Sequence, residues 1–158
     1  MSSTGAAVRV RKMQAADLDR VMEIAGSLNG APQWPVSAYL RALDAEAVPR
    51  RVALVAEDLE AGAVAGFLVA SVVAAEAELE TIAVAAESQR RGVGRLLLAE
   101  LANALRMEQV NEIILEVRRS NLAALTLYRS CGLVETGLRP RYYADPVEDA
   151  VLMGRRLG

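Results

Sequence analysis

Apolar and polar residues along this chain follow two rhythms, and the switches between them mark its elements. VRVRKM near the start alternates with period two and predicts a first strand. In DLDRVMEIAGSL the rhythm lengthens: Leu18, Val21, Met22, Ala25 and Leu28 recur at helical spacing behind Asp17, a candidate N-cap. NGAPQWPVSAYLRALDAE holds a Gly/Pro-rich loop and then a second helix with Ser37 as its candidate cap. RVALVAED and AVAGFLVASVVAA read as strands joined by a turn at Gly62, and ELETIAVA as another. After QRRGVG, a helix carries Val93, Leu97, Leu101, Ala104 and Leu105 on one face. NEIILEVRR is a strand, and SNLAALTLYRS a helix stopped by Gly132 at the C′ position. LVETGLRPRYY and EDAVLMGRRL close the chain as strands around DPVED. The order β-α-α-β-β-β-α-β-α-β-β predicts a single α/β (α+β) domain over residues 1–158, with a mixed sheet rather than a regular doubly wound one.

Composition narrows the chemistry. With 53% hydrophobic and 24% charged residues, the 158-residue chain has the make-up of an ordinary globular protein. A net charge of −2 gives no general electrostatic reason to expect nucleic acid, so any basic site must be local. The absence of histidine excludes Ser-His and Cys-His nucleophile systems and histidine metal sites. Cys131, the only cysteine, makes neither an intrachain disulfide nor a thiolate cage; it reads as a small buried residue and fits a reducing cytosol. Arg9, Arg11 and Lys12 interrupt any signal-peptide core. The longest uncharged run, Ala61 to Ala75, is too short for a bilayer, which takes about 20 residues. The expectation is a cytoplasmic protein that needs no metal and no membrane.

Three places carry candidate chemistry. QRRGVGR sets Arg90, Arg91 and Arg95 around Gly92, Val93 and Gly94 between a strand and a helix start. Backbone N–H groups at a helix N-terminus bind phosphate, and the macrodipole there disfavours cations unless an anion joins them. A solvated basic turn is the plainer alternative. Glu116 shares a strand face with Ile114 and Arg118, opposite Ile113, Leu115 and Val117. It is either an ion-pair partner, of Arg118 for instance, or a general base. Asn121 and Tyr128, two helical turns apart, are either a cap and a core residue or two contacts for a ligand along that helix. Arg141, Tyr142 and Tyr143 form an aromatic-basic cluster at a strand end, as half-buried hairpin residues or as substrate contacts.

Together, ETIAV, QRRGVGRLLL, LEVRRSNLAALTLYRSCGL, RYY and EDAVLM resemble the GNAT superfamily of acetyl-CoA-dependent N-acyltransferases, in particular its RimI-like branch, over about residues 78–156. The resemblance implies a GNAT fold with a mixed, mostly antiparallel sheet of about seven strands. It implies acetyl-CoA as cosubstrate, with Ile82, Ala83 and Val84 along the pantetheine arm, residues 90 to 95 on the pyrophosphate and Asn121 further along the cofactor. Glu116 would be the general base and Tyr128 the general acid, with Glu80 a rival base near the acceptor. The acceptor side would draw on Trp34, Tyr142 and Tyr143. Leu133 stands where the family usually has phenylalanine, and APQWPVSAYL does not reproduce the usual FPWS-like text. The implied reaction is acetylation of a protein N-terminus, foremost the alanine of a ribosomal protein. A small-molecule amine (amino acid, polyamine or aminoglycoside) and a non-catalytic acyl-CoA-binding module are the alternatives, in a monomer or a homodimer.

Overall fold

The computed structural model describes residues 7–28 and 33–158. The Asn29–Pro32 part of the Gly/Pro-rich loop lies outside the described residues, as do the first six positions. Seven strands form one sheet: β1 (Val8–Lys12), β2 (Arg50–Asp58), β3 (Ala63–Val73), β4 (Glu76–Val84), β5 (Glu112–Arg118), β6 (Val134–Tyr143) and β7 (Glu148–Arg156). The helices are α1 (Leu18–Gly26), α2 (Val36–Leu43), α3 (Val93–Met107) and α4 (Leu122–Ser130). Element order matches the order predicted from the sequence, with short 3-10 turns at Ala15–Asp17 and Ala86–Ser88 added. Among the described residues no helix is long and apolar enough to cross a membrane.

The sheet runs β1-β2-β3-β4-β5-β7-β6, antiparallel everywhere except at β4–β5. Each face buries its own core. Ile113, Leu115 and Val117 of β5 pack with Leu97, Leu101 and Leu105 of α3 and Leu125 of α4. On the other face Val55, Phe67, Val69 and Ala83 meet Val21 and Ile24 of α1 and Tyr39 of α2.

Two predicted caps take other roles. The side chain of Asp17 does not cap α1. Its carboxylate instead accepts from both terminal nitrogens of Arg11 at 2.9 Å and from the Gln14 N–H at 2.8 Å, which ties β1 to the turn before the helix. Ser37 lies inside α2, whose N-cap is Pro35. The stop at Gly132 does form: its φ is 90°, its N–H donates to the Arg129 carbonyl, and Leu133 N–H donates to the Tyr128 carbonyl. That pair of bonds is the Schellman arrangement, which needs a left-handed residue at Gly132.

Candidate active site

The site begins where the two parallel strands stop pairing. β4 and β5 are in register at only three positions, Glu76–Glu112, Ala77–Ile113 and Glu78–Ile114. Beyond these each strand continues alone, β4 to Val84 and β5 to Arg118. Alternate N–H and C=O groups along that edge of β4 therefore face no neighbouring strand, and a cleft of about 1040 Å³ opens between the carboxyl ends of the strands. Carboxyl ends of parallel strands are where open α/β sheets bind ligands.

A bulge shapes the β4 wall. Against β3, Thr81 pairs with Val69 and Leu79 with Ala70, so Glu80 has no partner. The extra residue shifts the alternation: Ala77 and Leu79 join the α3 core before it, while Ile82 and Val84 pack on that core after it. Ala83 buries its methyl in the α1–α2 core. All three of Ile82, Ala83 and Val84 border the cleft.

At one end of the cleft α3 begins. Its N-cap is Gly92, with φ 79° and no side-chain cap, so the first-turn N–H groups have no side-chain acceptor. Arg90 is also left-handed, with φ 68°, a conformation that costs a non-glycine residue about 1–3 kcal/mol. Gly94 is needed for packing: a Cβ there would stand 3.1 Å from Leu127 Cδ2. Arg90, Gly92, Val93, Gly94 and Arg95 border the cleft, and neither Arg90 nor Arg95 has an ion-pair partner among the described residues. Arg91 is not in the lining. Its guanidinium pairs with Asp58 at 3.0 Å, and Asp58 also accepts the Glu60 and Ala61 N–H groups of the β2–β3 turn. Asn121 caps α4 by accepting from Ala124 N–H at 3.1 Å, and it also borders the cleft.

The same cleft is lined by titratable groups. Glu116 is 21% exposed, and its nearest cation is Arg139 at 3.4 Å rather than the adjacent Arg118. Its Oε2 is buried and accepts no hydrogen bond. Arg118 is engaged elsewhere: it bonds Glu148 at 3.2 Å and the Ala144 and Pro146 carbonyls, and it stacks 4.5 Å from the centre of the Tyr143 ring. Glu80 is held by Arg51 through Nε at 2.8 Å and Nη2 at 3.4 Å. Tyr128 is 7% exposed, and burial, aided by Tyr143, pushes its phenol up to about 12. Tyr142 and Tyr143 meet edge to face at 5.0 Å, and burial followed by the Glu116 charge raises the Tyr143 phenol. Trp34, tilted against Tyr39 at 5.2 Å, borders the cleft, as do Tyr142 and Tyr143. Arg141 lies outside the lining, with its N–H on Asp149.

Sequence reasoning passed over Glu78, which borders the cleft along with Glu116 and Glu80. Although one side of it stays open to solvent, partial burial raises its carboxyl, and the charges of Glu116, Glu80 and Glu76 act in the same direction. Its signal was present: Glu76, Glu78 and Glu80 share one parity in EAELETIAV.

Residues 18–133 match the Acetyltransferase (GNAT) family. The chain belongs to this family. Among the relatives of this GNAT chain is the [ribosomal protein bS18]-alanine N-acetyltransferase of Escherichia coli K12, 45% identical over 94 residues. That match takes in 58% of this chain and 64% of the relative, a little under two thirds of its length. The N-alpha-acetyltransferase RimI of Mycobacterium tuberculosis is 36% identical over 156 residues, 96% of this chain and 94% of that one. The crystal structure of the ribosomal-protein-S18-alanine N-acetyltransferase from Escherichia coli superimposes with a TM-score of 0.83 at 32% identity, covering 96% of this GNAT chain and 94% of that one.

Proposed function

We propose that this protein is an acetyl-CoA-dependent N-acetyltransferase that acetylates the N-terminal alanine of a ribosomal protein, with residues 1–158 as one catalytic domain. The observation that carries the reading is the parting of β4 and β5. It puts an uncapped helix N-terminus and two arginines in the same cleft as a carboxylate oxygen, with no ion-pair partner for those arginines and no hydrogen-bond partner for that oxygen among the described residues. The name of the Escherichia coli relative supports a ribosomal-protein alanine as acceptor, and that of the Mycobacterium tuberculosis relative an α-amino group.

The residues present fit acetyl-CoA. The α3 first-turn N–H groups, with Arg90 and Arg95, suit its pyrophosphate, and the unpaired edge of β4 suits the amide-bearing pantetheine arm. The thioester supplies an activated acetyl group. Glu116 takes a proton from the acceptor amine as nitrogen bonds to the acetyl carbon, a modest demand because an α-amino group has a pKa of about 7.7–8.0. Glu116 is preferred to Glu80 because two hydrogen bonds from Arg51 occupy the Glu80 carboxylate, whereas Arg139 meets Glu116 Oε2 only as a 3.4 Å ion pair without a hydrogen bond. A β4 N–H polarises the carbonyl. Tyr128, protonated throughout the working pH range, donates its proton as the carbon–sulfur bond breaks.

The test offers acetyl-CoA with N-terminal alanine peptides and, separately, with amino acids, polyamines and aminoglycosides, reading thiol release and product mass. Acetylated alanine peptide is the expected product, with Glu116→Gln lowering kcat by about 10²–10⁴-fold while CoA affinity holds. Acetylation confined to the small amines refutes the acceptor, and an undiminished Glu116→Gln enzyme refutes the base.

A further inference from the structure

Beside the main cleft, between α2 and β2, lies a second cavity of about 430 Å³, lined by Trp34, Ser37, Ala38, Arg41, Arg51 and Glu80. Trp34 and Glu80 also line the main cleft, so the two spaces adjoin on the acceptor side, away from the α3 N-terminus. Two guanidinium groups against one carboxylate leave the small cavity with an excess of positive charge. The Arg51–Glu80 pair holds Arg51 in place through Nε and Nη2, while Nη1 is buried without a hydrogen-bond partner. Arg41 has no ion-pair partner among the described residues and is exposed, so an incoming acceptor can reach it. A buried unpaired donor is costly, and a guanidinium's planar fork suits carboxylate and phosphate oxygens, of which an unmodified peptide offers the carboxylate. The main cleft has the opposite sign where the two spaces meet, with Glu78 and Glu116 on its wall. Charge along the acceptor path thus runs from negative, where an amine reacts, to positive further on.

We propose that this cavity is a subsite for a carboxylate side chain of the acceptor peptide, a residue or more beyond the amino terminus being acetylated. The assignment rests on the acetyltransferase reading above and adds acceptor selectivity to it: a free amine presented to Glu116 and an acidic residue to Arg41 and Arg51. Trp34, the only tryptophan in the chain, lies at the junction and reports binding without chemistry.

The experiment uses the full chain with CoA or acetyl-CoA and peptides that begin with alanine and carry Asp at the second, third or fourth position, each beside an Asn twin. Trp34 fluorescence reads binding, and thiol release reads turnover. For at least one position the Asp peptide binds roughly tenfold more tightly than its Asn twin and has a correspondingly lower KM, while kcat is shared. Arg41→Gln removes that preference, and Arg41→Glu inverts it in favour of a Lys peptide. Asp and Asn twins that bind and turn over alike overturn the subsite even if both are acetylated. An Asp preference in fluorescence without acetyl transfer upholds the subsite and sinks the acetyltransferase reading. No binding and no turnover by any peptide overturns both. A preference for free aspartate over every peptide overturns the peptide assignment.

Discussion

Replacing Gly92 with alanine tests whether the α3 N-terminus is the anion site. A Cβ at this position meets nothing within 4 Å, so sterics contribute nothing and the whole effect is in the backbone. Holding an L-residue at φ 79° costs about 1–2 kcal/mol, and stiffening the unfolded chain returns about 0.4–1 kcal/mol. The net loss of about 1 kcal/mol corresponds to a Tm lower by roughly 2–4 °C in a chain of this size. If the backbone instead leaves the left-handed region, the Val93 and Gly94 N–H groups turn with it. Each charge-assisted hydrogen bond to phosphate lost that way is worth about 1.5–3 kcal/mol, or roughly ten- to hundredfold in CoA affinity. Thermal unfolding of the free protein and calorimetric titration with CoA read the two terms separately. Gly92→Asn, which tolerates the left-handed conformation better, falls between wild type and alanine in both. A Gly92→Ala protein with unchanged Tm and unchanged CoA affinity refutes the reasoning.

Tyr128→Phe is expected to lower kcat by about 10²-fold or more at constant CoA affinity, and the wild-type rate shows no loss from phenol ionisation until pH approaches about 12; steady-state kinetics across pH check both. Asp58→Asn loosens Arg91 and with it the strained loop, so KM for acetyl-CoA rises severalfold while kcat holds; a lowered kcat at unchanged KM would contradict this. The Asp17 carboxyl is held below its ordinary value first by the hydrogen bonds from Arg11 and then by the Gln14 N–H. A depressed folded-state pKa contributes stability that is present above the unfolded value of about 3.9 and lost as pH falls through the folded one. Asp17→Asn should therefore cost about 1–3 kcal/mol at pH about 7, with the gap to wild type closing in urea melts at about pH 3.

Element order and the two core faces were legible because they follow from local period: Ile113, Leu115 and Val117 alternate in the sequence and are buried together. The two glycines of QRRGVGR look alike in the sequence, yet only Gly92 is left-handed, and Gly94 makes room for Leu127 from another helix. That difference needs the packing of α3 on α4, which no local pattern encodes. The partner of Glu116 was hidden for the same reason. Arg118, two residues on, turns to Glu148 on β7, while Arg139 approaches from β6 across that strand. Arg91 looked equivalent to Arg90 until the β2–β3 turn brought Asp58 to it. The Glu80 bulge did leave a trace. Residues 76, 78 and 80 are glutamates, but 82 and 84 on the same parity are Ile and Val, a change of polarity that one unbroken strand face does not explain.

The three-residue seam between β4 and β5 also divides the sheet into two leaves, β1 to β4 on one side and β5, β7 and β6 on the other. Trp34, Arg41 and Arg51 belong to the first leaf, and Tyr142 and Tyr143 to the second. Substitutions on opposite leaves share no strand pairing, so their effects on acceptor choice should add, whereas changes within one leaf should couple. A sheet split this way lets selection or a protein engineer adjust each jaw in turn, and it makes combined libraries across the seam more predictable than libraries within either leaf.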